Sequence, residues 1–137
     1  MSIKKYVKIL WFGAALLISG VCVGDNTPDF TDPLKSIMVK KSNPVFSIII
    51  KSNPTTGYSW LLKSYDANLI TPIGRKFYQP ADRKLVGAPG YEKWTFRVKA
   101  AGFVVPQTTS IVLIYARPWD EQGAQATNFK VITNYAN

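Results

Sequence analysis

Residues 91–99 carry the cleanest alternation in the chain: Trp94, Phe96 and Val98 point one way, and Lys93, Thr95, Arg97 and Lys99 point the other. A period of two is the mark of a half-buried β-strand, because successive side chains leave a pleated backbone on opposite faces. Weaker versions recur along the chain. Residues 34–40 alternate loosely, and residues 45–50 are nearly all apolar, as a strand covered on both faces would be. Residues 58–62 are aromatic and aliphatic, and residues 69–78 carry Pro72 and Gly74, which suits an edge or bulged strand. Residues 108–116 form a long β-branched run, and residues 128–135 place Phe129, Val131 and Tyr135 on one face. Pro, Gly and Asn separate these runs, and no helical period follows the first 33 residues. Six to eight short strands in 137 residues predict one all-β domain, an immunoglobulin-like antiparallel β-sandwich, with a closed barrel as the alternative.

The N-terminus reads differently. Lys4, Lys5 and Lys8 precede a mostly apolar stretch over residues 9–18, and the small residues Ser19, Gly20 and Gly24 follow. That is the layout of a secretory signal peptide over residues 1–24, too short for a comfortable membrane span and followed by no stop-transfer pattern. A buried N-terminal helix or strand is the competing reading. Cys22 is the single cysteine; a lipid anchor there is disfavoured, since Ser19-Gly20-Val21 lacks the Leu and the small final residue such signals carry. The expectation is export, periplasmic or secreted, with a flexible leader over residues 25–33, a folded domain over 34–137, no disulfide, no membrane span in the mature form, and a monomer.

The expected mature part holds fourteen basic and eight acidic residues, a net of six positive charges. Such an excess favours an anionic partner or an acidic cleft, although a plain basic surface reads the same way. Nothing in it suggests nucleic-acid recognition. There is no histidine. That removes Ser-His and Cys-His dyads and histidine metal sites, and with Cys22 in the expected signal no thiol nucleophile remains. The acids Asp66, Asp82 and Glu92 are scattered singly, and no phosphate-cradling turn is present. These absences argue against an enzyme and against a metal or cofactor.

Three connections stand out. In Lys51-Ser52-Asn53-Pro54-Thr55-Thr56-Gly57-Tyr58, Asn-Pro initiates a turn, Pro54 fixes its own φ, and Gly57 permits a positive one. In Leu85-Val86-Gly87-Ala88-Pro89-Gly90-Tyr91, the glycines offer backbone to a close approach. Arg117-Pro118-Trp119-Asp120 ends the long apolar strand candidate with residue types enriched at binding hot spots. By turn chemistry alone the Asn53 loop reads first as an ordinary strand connection, the glycine loop equally as a plain hairpin loop, and Trp119 equally as a ring folded back over the core edge.

Together and in this order the three resemble the motifs of the chagasin-type inhibitors of papain-family cysteine proteases: Asn-Pro-Thr-Thr-Gly-aromatic, a Gly-x-Gly-Gly loop, then Arg-Pro-Trp. Asn53, Pro54, Thr55, Thr56, Gly57 and Tyr58 match intact, as do Arg117, Pro118 and Trp119, and residues 96–102 look like the family's strand and turn ahead of the last motif. The resemblance spans roughly residues 37–134. The middle loop departs from it, with Gly87-Ala88-Pro89-Gly90 in place of Gly-x-Gly-Gly. Pro89 removes one backbone donor and holds Ala88 extended.

The resemblance implies three loops at one end of a sandwich acting as a reversible, non-covalent plug. Thr55 and Thr56 would sit near the protease Cys-His pair, with the Gly87 loop on the non-primed side and Trp119 anchored on the primed side, supported by Arg117. The competing class is an exported immunoglobulin-like module that binds anionic carbohydrate or another surface ligand through Tyr58, Trp60, Tyr78 and Trp119. Binding to a polyanion would collapse with moderate salt. A fibre subunit that needs a donated strand is a third reading.

Overall fold

The computed structural model describes residues 26–133 apart from 82, 83, 85 and 86. The expected signal peptide, Cys22 and Tyr135 lie outside the described residues. Among the described residues eight strands form: β1 (Asp29–Phe30), β2 (Ile37–Val39), β3 (Val45–Ser52), β4 (Ser59–Ser64), β5 (Ile70–Tyr78), β6 (Gly90–Val98), β7 (Gln107–Arg117) and β8 (Asp120–Thr133). They make two four-stranded sheets, ordered β1-β3-β6-β5 and β2-β8-β7-β4.

The alternation read in the sequence becomes the inside and outside of the sandwich. On β6, Trp94, Phe96 and Val98 are buried, and on its neighbour β3 so are Phe46 and Ile48. Phe46 and Phe96 are register partners, and their rings stack with centroids 5.7 Å apart. Against them the second sheet presents Ile37, Val39, Trp60, Ile111, Leu113, Phe129 and Val131. Burying one such side chain fully contributes about 1.5–3 kcal/mol, so this shared layer is the main source of stability. The outer face of β3 is less covered than its composition suggests, since Ile49 is half-buried and Lys51 exposed.

Two expectations need correction. The sheets are mixed, because β1 runs parallel to β3 and β2 parallel to β8. The segment expected to be a flexible leader also contributes β1: Asp29 pairs with Ser47, and Phe30 packs edge-on against Phe46 at 6.4 Å. Both differences share a cause. After β1 the chain turns at Asp32, where Leu34 N–H donates to the carboxylate (2.9 Å) and Lys35 N–H to the carbonyl (3.2 Å). It then crosses to the other sheet and joins it as β2, beside the last residues of β8, so one crossing segment edges both sheets in the direction of its neighbour. Elsewhere the expected strands form, though β8 starts eight residues earlier than the apolar pattern, at Asp120 rather than Asn128. Strand β5 lies at an edge, with a register shift between Pro72 and Gly74, which spares the sheet a missing donor in its interior.

Antiparallel alternation then fixes where the connections go. The β3–β4, β5–β6 and β7–β8 connections fall at one end of the sandwich, and β4–β5 and β6–β7 at the other. At that second end the Lys99-Ala100-Ala101-Gly102 stretch forms a short 3-10 helix (Ala100–Phe103), locked by Lys99 N–H to the Leu69 carbonyl at 2.7 Å. The three motif segments are the three connections at the first end.

Candidate functional site

The central loop is built around Asn53. Pro54–Thr56 form one 3-10 turn, closed by Gly57 N–H donating to the Pro54 carbonyl at 3.1 Å, with Gly57 in the left-handed region at φ 80°. Each polar atom of Asn53 has a partner. Its amide N–H donates to the Tyr115 hydroxyl, and that hydroxyl donates to its carbonyl, both at 3.1 Å. Its Oδ1 accepts from Thr55 Oγ1 at 2.6 Å, and its carbonyl also accepts from Thr56 Oγ1 at 2.8 Å. Its Nδ2 donates to the Gly87 carbonyl at 3.3 Å. The threonine hydroxyls are therefore turned inward to hold the loop, and Pro54, Thr55, Thr56 and Gly57 form an exposed tip. A tip braced in this way gives up little conformational freedom on docking.

The glycine-rich loop lies on one side of this tip. Gly87 is exposed with φ 81° and has open space where a Cβ would stand. Pro89 is exposed and Ala88 half-buried. Gly90 differs from the reading of it as accessible backbone: it is buried, paired with Ser52 in the sheet, and a Cβ there would be driven into the Tyr78 carbonyl and the Phe77 ring. Its lack of a side chain serves packing beneath the loop, so the accessible part of this loop is Gly87-Ala88-Pro89.

The β7–β8 turn lies on the other side. Arg117 pairs with Asp120, leaving Pro118 and Trp119 as a two-residue tip. Trp119 is 76% exposed, which excludes the ring folded over the core edge. A Cβ built on Gly57 would stand 3.7 Å from its Cη2, so the indole flanks the central tip. The guanidinium of Arg117 lies 4.9 Å over the Tyr58 ring, and Tyr58 stacks on Tyr115 at 5.4 Å. The structure thus brings together the expected residues of all three loops, with Asn53 bonded to Gly87 and Gly57 lying beside Trp119. Behind the tip is a groove of about 410 Å³ lined by Asn53, Thr56, Tyr58, Tyr115, Gly123 and Gln125.

Two contributors escaped the sequence reading. Tyr115, taken only as part of a β-branched run, grips Asn53; its place two residues before Arg117 was the available signal. Glu92, taken as a scattered acid, is 3% exposed on the inner face. Parity could have found it, since Glu92 lies two residues before Trp94 on the same side of the alternation. The aromatic set of the carbohydrate reading makes no single exposed face: Trp60 lies in the core and donates to the Lys51 carbonyl at 2.8 Å, and Tyr78 stacks on Tyr91 in the other sheet. Among the described residues no cluster of His, Cys, Asp and Glu could hold a metal ion, and no helix is long and apolar enough to cross a membrane.

The family profile described as "Chagasin family peptidase inhibitor I42" matches residues 40–132, which takes in all three loops and strands β3 to β8 in whole or part.

The chain belongs to the chagasin family.

Chagasin of Trypanosoma cruzi is 36% identical to it over 89 residues, 61% of this chain and 74% of that protein. The fold is similar to the crystal structure of the cysteine protease inhibitor EhICP2 from Entamoeba histolytica, at a TM-score of 0.61 and 20% identity over 78% of this chain and 95% of that one. It is also similar to the solution structure of Amebosin, at a TM-score of 0.59 and 22% identity, with 78% and 97% covered. Chagasin-family membership sets this chain among peptidase inhibitors and not among enzymes, in keeping with a loop end that offers threonines, proline, glycine, arginine and tryptophan but no nucleophile activated by a base.

Proposed function

We propose that this protein inhibits papain-family cysteine proteases reversibly, by seating the Pro54–Thr56 turn in the catalytic cleft. The observation that carries the reading is the braced, exposed tip between two exposed flanks. A substrate must be extended and pliable to be cut, whereas this tip is a closed turn whose backbone is tied to Tyr115 and Thr56. Thr55 and Thr56 would stand over the catalytic Cys-His pair. Gly87, Ala88 and Pro89 would follow one arm of the cleft, and Trp119 would rest on the other with Arg117 beside it. No group in the three loops forms a stable covalent adduct, so obstruction is the mode. Export after removal of residues 1–24 would bring the inhibitor to a protease outside the cytoplasm.

Titrating a papain-type enzyme with the protein tests this directly. Activity should fall with added protein and return on dilution, with no cleaved or covalently modified inhibitor by mass. Full activity in the presence of micromolar protein would end the proposal.

A further inference from the structure

We infer that Glu92, which lies outside all three loops, is the positioning residue that sets the separation of the Asn53 loop from the Gly87 loop, and so the shape of protease cleft the inhibitor accepts. This rests on the inhibitor reading above. The inner faces of both sheets are otherwise almost wholly apolar around it, and a carboxylate there is costly unless it is fully engaged. Glu92 is engaged three times: Oε1 accepts from Ser52 Oγ at 2.8 Å, and Oε2 accepts from Arg75 Nε at 2.8 Å and from Trp94 Nε1 at 3.2 Å. Arg75 is also held with its guanidinium 4.9 Å over the Trp94 ring.

The partners explain the role. Ser52 is the last residue of β3 and precedes Asn53, while Arg75 belongs to β5, the strand that leads into the Gly87 loop. Glu92 stands on β6 between them, two residues after Gly90, where that loop ends. One carboxylate therefore joins the strand that enters the central loop to the strand that enters the flanking loop. An apolar residue could fill the same space at no loss of stability, but it would not fix Ser52 against Arg75; a satisfied polar network specifies geometry where an apolar contact permits sliding. A second tie between the loops is Asn53 Nδ2 to the Gly87 carbonyl at the surface. The buried clamp and the surface tie act on the same separation.

The test compares Glu92→Gln, Ser52→Ala and Asn53→Ala, singly and combined, against papain-type proteases with open and with partly occluded clefts. Glu92→Gln should change the ratio of inhibition constants between the two cleft types about fivefold or more, and its effect should depart from additivity with Asn53→Ala by about threefold or more. Ser52→Ala should act in the same direction and more weakly. Uniform weakening across all enzymes in step with a lowered melting temperature would overturn the inference, as would additivity. Should Glu92→Gln fail to fold, Ser52→Ala and Arg75→Met each remove one arm of the clamp and carry the same comparison. Should the unaltered protein inhibit none of the enzymes, the inhibitor reading fails by itself. The amide resonances of Gly87 and Ala88 then report the clamp: displacement in Glu92→Gln supports it, and unmoved resonances overturn it.

Discussion

The hydroxyl oxygen of Tyr115 stands 3.1 Å from both the amide nitrogen and the carbonyl oxygen of Asn53. It accepts from one and donates to the other, so a single phenol on β7 grips the backbone of a loop 62 residues away in sequence. Tyr115→Phe keeps the ring that stacks on Tyr58 and removes both bonds. At about 0.5–1.5 kcal/mol per bond, the two bonds together make about 1–3 kcal/mol, so the inhibition constant should rise roughly 5- to 150-fold through faster dissociation, with little change in the far-ultraviolet dichroism. An unchanged dissociation rate would show that the loop holds its shape without Tyr115.

Trp119 separates binding from stability cleanly, because its ring is mostly in water before docking. Trp119→Ala should weaken inhibition by at least about 1–2 kcal/mol while leaving the denaturation midpoint where it is. A lowered midpoint with unaltered inhibition would assign the ring to the fold alone.

The glycines should fail for different reasons. Gly57→Ala forces a side chain onto φ 80° while its Cβ finds ordinary room beside Trp119, so the cost is conformational, about 1–2 kcal/mol, and falls on the loop. Gly90→Ala meets the Tyr78 carbonyl and Phe77 inside the sheet and should lower the melting temperature far more than Gly57→Ala does. Equal melting temperatures for the two variants would contradict the burial of Gly90.

Pro89→Ala restores a backbone donor without the freedom of a glycine. If the protease backbone pairs at this point, inhibition should tighten about two- to tenfold, one hydrogen bond's worth. Weaker inhibition by the alanine variant, read from the same titration, would mean that the stiffness of Pro89 contributes more than the missing donor.

The sequence made most of the sandwich legible because burial on a strand is written with a period of two. Trp94, Phe96 and Val98 could hardly have faced water together. The edge strands were harder. Asp29-Phe30 and Ile37-Met38-Val39 are too short to establish a period, and their parallel pairing follows from the path of the crossing segment and not from their own composition. The first half of β8, Asp120 to Thr127, carries few apolar residues and is a strand because β7 lies alongside it, with Arg117 opposite Asp120 and Tyr115, Ile114 and Leu113 opposite Gln125, Ala126 and Thr127. Of the site, the tips were legible as turn chemistry, since Pro54 and Gly57 act through their own backbone angles. The supports were not. Tyr115 reaches Asn53 and Glu92 reaches Ser52 across the sheets, and contacts between residues 40 or more positions apart leave no local mark.

The parallel pairing of β1 with β3 also fixes how this domain hangs from whatever precedes it. Asp29 pairs with Ser47, near the start of β3, and β1 runs toward Ser52 and the loops. The polypeptide therefore enters the fold from the end remote from Asn53, Gly87 and Trp119. A surface, bead or fusion partner joined upstream of Asn26 would hold the molecule by its handle with the wedge pointing outward, so capture of a protease from solution on a support coupled at that end should proceed as freely as with the unattached protein.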